Sequence, residues 1–160
     1  MEDMEFMGFS VSPLPVKKER ERCNKMTETF GLELSEQQME QLMVRRSEAL
    51  KAAGRVELGG GVLEKLVYTF CDSPYLRQAD YAETLEELQD LFYYFKTECT
   101  EQLTDDELLE AMRLIYNEAA RGSLDFLAGI DRDTMCRVAV TGSLRGTSLT
   151  DEEDYDEEEE

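Results

Sequence analysis

Residues Arg55–Leu66 read RVELGGGVLEKL. Three consecutive glycines stand in front of an apolar-periodic segment, and two folds can carry such a run. After a buried strand, the glycines would form a phosphate-cradling loop in an α/β sheet. Without that strand, they are a flexible entrance to one helix of an all-α bundle. The neighbouring residues favour the second. A P-loop needs G-x-x-x-x-G-K-[ST], whereas Gly61 is followed by Val62 and Leu63, and Lys65 has no hydroxyl beside it. Arg55–Leu58 reads as a short extended link with Val56 and Leu58 on one side, and no βαβ context surrounds it. From Val62, the residues Val62, Leu63, Leu66, Val67 and Phe70 share one helical face.

Working upstream, Ser35 with Gln38 makes a capping box, and Gly54 is a left-handed stop. The helix between them carries Met39, Leu42, Met43, Leu50 and Ala53 on one stripe. Arg46 falls within that stripe. Before it, VKKERERCNKMTETF forms a polar helix after Pro15 and ends at Gly31. Met1–Ser12 alternates weakly and reads as extended.

Downstream, Ser73-Pro74 closes the glycine-led helix. Asp80 with Glu83 predicts another capping box. The helix that follows places Tyr81, Leu85, Leu88, Phe92, Phe95 and Cys99 at spacings of 4, 3, 4, 3 and 4 residues, a seam for a neighbouring helix. Thr104 with Glu107 caps a helix bearing Leu108, Ala111, Met112, Ile115 and Ala119, which ends at Gly122. Two shorter helices, Ser123–Ala128 and Asp131–Ala139, complete an all-α fold of five to seven helices. The expected organisation is an extended segment over 1–14, a helical domain over 15–141 and a disordered acidic tail over 142–160.

The chain has 160 residues and a net charge of −20. The last ten residues, Asp151–Glu160, hold nine acids and no base, which leaves 28 acids against 17 bases, or −11, in residues 1–150. An acidic body argues against nucleic acid, whose affinity comes from Lys and Arg neutralising phosphates. No apolar run reaches the roughly 20 residues of a membrane span. The acidic N-terminus does not read as a secretory signal. A cytoplasmic location follows as the expectation. Cys23, Cys71, Cys99 and Cys136 lie far apart and are read as buried thiols in a reducing compartment. With no histidine present, there is no Ser-His-Asp triad, no Cys-His pair and no histidine-ligated zinc.

The residues that stand out each have a structural and a functional reading. A helix N-terminus attracts anions, so Gly59, Gly60 and Gly61, with Arg55, Lys65 and Arg46 nearby, form a candidate anion or ligand site. Helix packing is the competing explanation. Arg46 on an apolar stripe must snorkel, face a ligand or pair with a carboxylate, for which Asp72, Glu57 and Asp90 are the candidates. TDDE, Thr104–Glu107, resembles a metal cluster but is explained by capping. Asp131–Val140 holds only the first half of an EF-hand loop. In LFYYF, Leu91–Phe95, Tyr93 and Tyr94 cannot both point inward with Phe92 and Phe95, so one of them borders a pocket or a partner surface, and Tyr93 and Tyr94 are both candidates for it. No cofactor or metal is indicated.

At RVELGGGVLEKLVYTFCDSPYL and LEELQDLFYYFK the chain resembles an uncharacterised family of small proteins from anaerobic Gram-positive bacteria, a domain of unknown function. The resemblance covers about Glu5 to Val138. It implies a bacterial, cytoplasmic, helical protein and brings no reaction, cofactor or substrate. The reading that follows is a non-enzymatic interaction or accessory module that binds another protein through a helix face, with homo-oligomerisation open. The alternative is a small-ligand or anion-binding protein using the Gly59–Gly61 helix entrance. A third class, suggested by charge alone, is an inhibitor that mimics nucleic acid.

Overall fold

In the computed structural model, residues 13–57, 61–99 and 103–149 are described. They form seven α-helices and no strand: α1 (Pro13–Thr27), α2 (Glu36–Ala53), α3 (Gly61–Phe70), α4 (Tyr81–Glu98), α5 (Asp105–Leu114), α6 (Leu124–Ala128) and α7 (Arg132–Thr141). The fold is all-α. Helix α1 begins at Pro13, inside the stretch expected to be extended. Residues 1–12 and the acidic run 151–160 lie outside the described residues.

Two of the three expected capping boxes form. Ser35 Oγ accepts from the Gln38 N–H at 3.1 Å while Gln38 Oε1 accepts from the Ser35 N–H at 2.9 Å, and Thr104 and Glu107 repeat the exchange at 3.0 and 2.9 Å. Each box satisfies two amides that a helix start leaves unpaired. The box expected at Asp80 and Glu83 does not form. Asp80 makes no cap hydrogen bond and instead accepts from Arg77 at 3.1 Å, because a 3-10 turn over Gln78–Asp80 leads into α4.

The helix after Thr104 also differs from the reading. It changes to a π-helical turn at Ile115–Ala119. Ile115 and Tyr116 are both buried at this turn. Tyr116 then meets Phe70 and Tyr75 edge-on, with centroids 5.6 and 6.2 Å apart.

Two cores share α3 and α4. One gathers Val16, Cys23, Leu34, Met39 and Leu42 of the α1–α2 side against Leu63, Val67 and Leu85. The other packs Val62, Leu66, Phe70, Leu88, Phe92 and Phe95 against α5, α6 and α7. The α4 seam is buried along its whole length, and so are Ala82, Thr84, Gln89 and Tyr93 beside it. A helix with neighbours on both sides buries more than one stripe. On α2 the stripe fades toward the C-terminus, where Ala53 is exposed. Packing also continues past Thr141, the expected domain end: Leu144 lies against the second core and Leu149 is buried in it.

Candidate functional site

The glycine-led helix begins on a carboxylate from its own chain. Glu57 Oε1 accepts from the Val62 N–H at 3.1 Å and from Arg46 Nε at 3.0 Å. Glu57 Oε2 accepts from Arg55 Nε at 2.7 Å. The Tyr93 hydroxyl donates to the same carboxylate, 3.1 and 3.0 Å from its two oxygens. The Glu57 side chain is only 6% exposed. Burial pushes its carboxyl up, but the Val62 N–H, Arg55, Arg46 and Tyr93 outweigh that and hold it below its ordinary value. The Tyr93 phenol is pushed up by burial and by Glu57. Gly61 makes the approach possible: with φ +54, a Cβ there would overlap Glu57 Oε1 and the Arg46 guanidinium.

From Arg55 the network runs on. Arg55 also pairs with Asp105 at the start of α5. Lys96 Nζ lies 3.1 Å from Asp105 Oδ1 and 2.5 Å from the Leu103 carbonyl oxygen. The chain ends of α2, α4 and α5 are thus tied to the entrance of α3. An open groove of about 950 Å³ beside this network is lined by Arg55, Tyr93, Tyr94 and Lys96.

The structure brings together Gly61, Arg46 and Arg55 of the candidate anion site, and it places Glu57 among them. Lys65 lies elsewhere, 3.1 Å from Asp106 on the surface. Gly59 and Gly60 lie outside the described residues. Arg46, 8% exposed, takes Glu57 from its three candidate carboxylates; Asp72 pairs with Arg113 at 3.2 Å and Asp90 with Arg45. Val56 is 88% exposed while Glu57 points inward, because the cations and the helix amide outweigh burial of one valine. Tyr93 is buried and bound to Glu57, so of the proposed aromatic partner surface only Tyr94, 52% exposed, faces out. The sequence named Glu57 as one partner for Arg46 but gave no sign that four donors converge on it.

The reading of four thiols is corrected as well. Cys99 at the end of α4 and Cys136 on α7 are joined in a disulfide, with their Cα atoms 6.1 Å apart. Cys23 and Cys71 are free and buried. Burial pushes both thiols up, away from the reactive thiolate. Among the described residues, no group of three or more Cys, Asp and Glu is placed to hold a metal ion. The start of TDDE caps α5, and Asp131 of the half EF-hand caps α7 by accepting from the Thr134 N–H at 3.0 Å. Among the described residues, no helix is long and apolar enough to cross a membrane.

The outer side of α5 carries a surface that the sequence reading missed. Grooves of about 480 and 420 Å³ flank the helix, the first against α3 and the second against α7. Tyr68, 72% exposed, lines the first, and Val140, 64% exposed, lines the second. Asp106 and Glu110 border both. The sequence signal was present in the alternation of Asp106, Glu107 and Glu110 with Leu109 and Leu114, but the neighbours of that face depended on the packing of α3 and α7.

A family model described as a family of unknown function, DUF6323, matches residues 19–143. The chain belongs to that family. No curated protein and no solved structure matches it.

Proposed function

We propose that this family member is a non-enzymatic interaction or accessory module that binds another protein through the outer face of α5. One observation carries the reading. Exposed apolar side chains, Tyr68 and Val140, lie in adjacent grooves on either side of one helix, bordered by the same two carboxylates. Apolar groups gathered beside polar ones in concave surface are the usual composition of a protein contact. The small-ligand alternative has less support, because both arginines at the helix entrance already face Glu57. A nucleic-acid or membrane partner is not part of the proposal, and the bacterial setting rests on the family resemblance alone.

Affinity capture with the full chain tests the reading, with the double variant Tyr68→Ser/Val140→Ser as the comparison. One protein retained in stoichiometric amount by the wild type and lost by the variant supports it. Equal retention by both places the contact on another face. Capture of nothing counts against an interaction role.

A further inference from the structure

The groove between α5 and α7 selects the charge of what can fill it. Its floor is apolar, made by Ala111, Leu114, Val138 and Val140. Its α5 wall carries Asp106, Glu107 and Glu110, and among the described residues no base lines it. Arg113 and Arg137, the bases next in sequence to its lining residues, are not among them, and Arg113 faces Asp72 instead. Glu107 is held by the Thr104 amide and Asp106 by Lys65 on its far side, whereas Glu110 has no ion pair among the described residues. The groove closes at Thr141 and Gly142, the C-terminal end of α7, whose last turn has no basic residue. A helix C-terminus presents the negative end of its dipole and unpaired carbonyl oxygens. Two independent sources of negative potential therefore border one apolar trough.

We infer that this groove docks a cationic amphipathic helix of a partner protein, with an apolar side chain between Leu114 and Val140 and a Lys or Arg reaching Glu110 and the α7 carbonyls. The inference rests on the α5-face reading above and adds the chemistry of the partner. A neutral helix would leave the Glu110 carboxylate desolvated without a counter-charge, and an acidic one would be repelled. A helix laid in a groove is recognised by apolar anchors one turn apart, which suits a trough running along α5.

The test uses three fluorescent probe peptides on one amphipathic pattern: leucine with lysine, leucine with glutamine and leucine with glutamate. Each is titrated into the full-length protein at low ionic strength and read by anisotropy. The lysine peptide is expected to bind saturably and to weaken as salt is added. Glu110→Lys and Val140→Asp, both on exposed positions, should each weaken it at least about tenfold. A full-length variant with the acids of residues 151–160 changed to Asn and Gln should bind within about twofold, which separates the groove from the acidic tail. Unchanged binding in both groove variants, or its loss on neutralising the tail, overturns the inference. Preference for the glutamine or glutamate peptide, with sensitivity to Val140→Asp, overturns the cationic partner while leaving the α5-face reading intact. Absence of binding by all three counts against both.

Discussion

Glu57 caps the helix that follows it in sequence: its Oε1 lies 3.1 Å from the Val62 amide nitrogen. The acceptor that a helix entrance attracts is supplied from four residues before the helix begins. Arg46 and Arg55 then hold a carboxylate that would otherwise be costly to bury. Removing one member leaves the others buried and uncompensated. Arg46→Ala is therefore expected to cost roughly 3–5 kcal/mol in urea unfolding, and Glu57→Ala a similar amount. A loss within about 0.5 kcal/mol would mark an ordinary surface position.

Gly54 and Gly61 separate backbone strain from close approach. Both have positive φ, +65 and +54, but a Cβ at Gly54 meets nothing within 4 Å, while one at Gly61 overlaps Glu57 and Arg46. Gly54→Ala should lose about 1–2 kcal/mol, the left-handed penalty alone. Gly61→Ala should lose clearly more, since it also displaces the ion pair. Equal losses, compared by denaturation midpoint, would show that Glu57 does not need the space.

Acid should act on two glutamates in opposite senses. The Glu57 carboxyl titrates below its unfolded value of 4.5. Its contribution is present above that pH and is lost as pH falls through the folded value. Glu19 is buried beside Glu64, and desolvation first, then that neighbour, raises its folded value above 4.5. The native state thus keeps a proton that the unfolded chain releases, and stability falls as pH rises from 4.5 through the folded value. Glu57→Gln should be less stable than wild type at pH 7 and flatten the loss below 4.5. Glu19→Gln should flatten the decline above 4.5. Urea midpoints across pH 3–7 check both slopes.

The Cys99–Cys136 bond closes a separation of 37 residues and fastens α7 to the end of α4. Closing a loop of that size stabilises a fold by about 3–4 kcal/mol through the unfolded chain. Reductant, or Cys99→Ser with Cys136→Ser, should lower stability by that order. Thiol titration of the denatured, non-reduced protein should find Cys23 and Cys71 only. Four reactive thiols together with no effect of reductant would contradict the pairing.

Local chemistry was legible wherever neighbours in sequence decide it. The boxes at Ser35 and Thr104, the stop at Gly54 and the α4 seam depend on contacts within a few residues, and each lies where the sequence places it. Asp80 failed because a 3-10 turn and Arg77 competed for its side chain. Arg46 was conspicuous as a charge on an apolar stripe, and the list of its possible partners included Glu57. The choice among them required knowing that α3 starts against α2. Alternation put Val56 on one side of a short link but could not say which side faces inward, which the four donors converging on Glu57 decide. The disulfide and the α5 grooves join elements far apart in the chain, so spacing alone carried no sign of them.

The central claim is that the glycine-led helix entrance is already occupied by Glu57 and serves the fold, leaving the α5 face for partners. Calorimetric titration of inorganic pyrophosphate into the full-length protein at low ionic strength tests it most directly, since a helix N-terminus flanked by two free arginines would bind that anion. The predicted result is no saturable heat for the wild type. Saturable binding that Arg46→Ala and Arg55→Ala both abolish would contradict the account and return the helix entrance to the role of a ligand site.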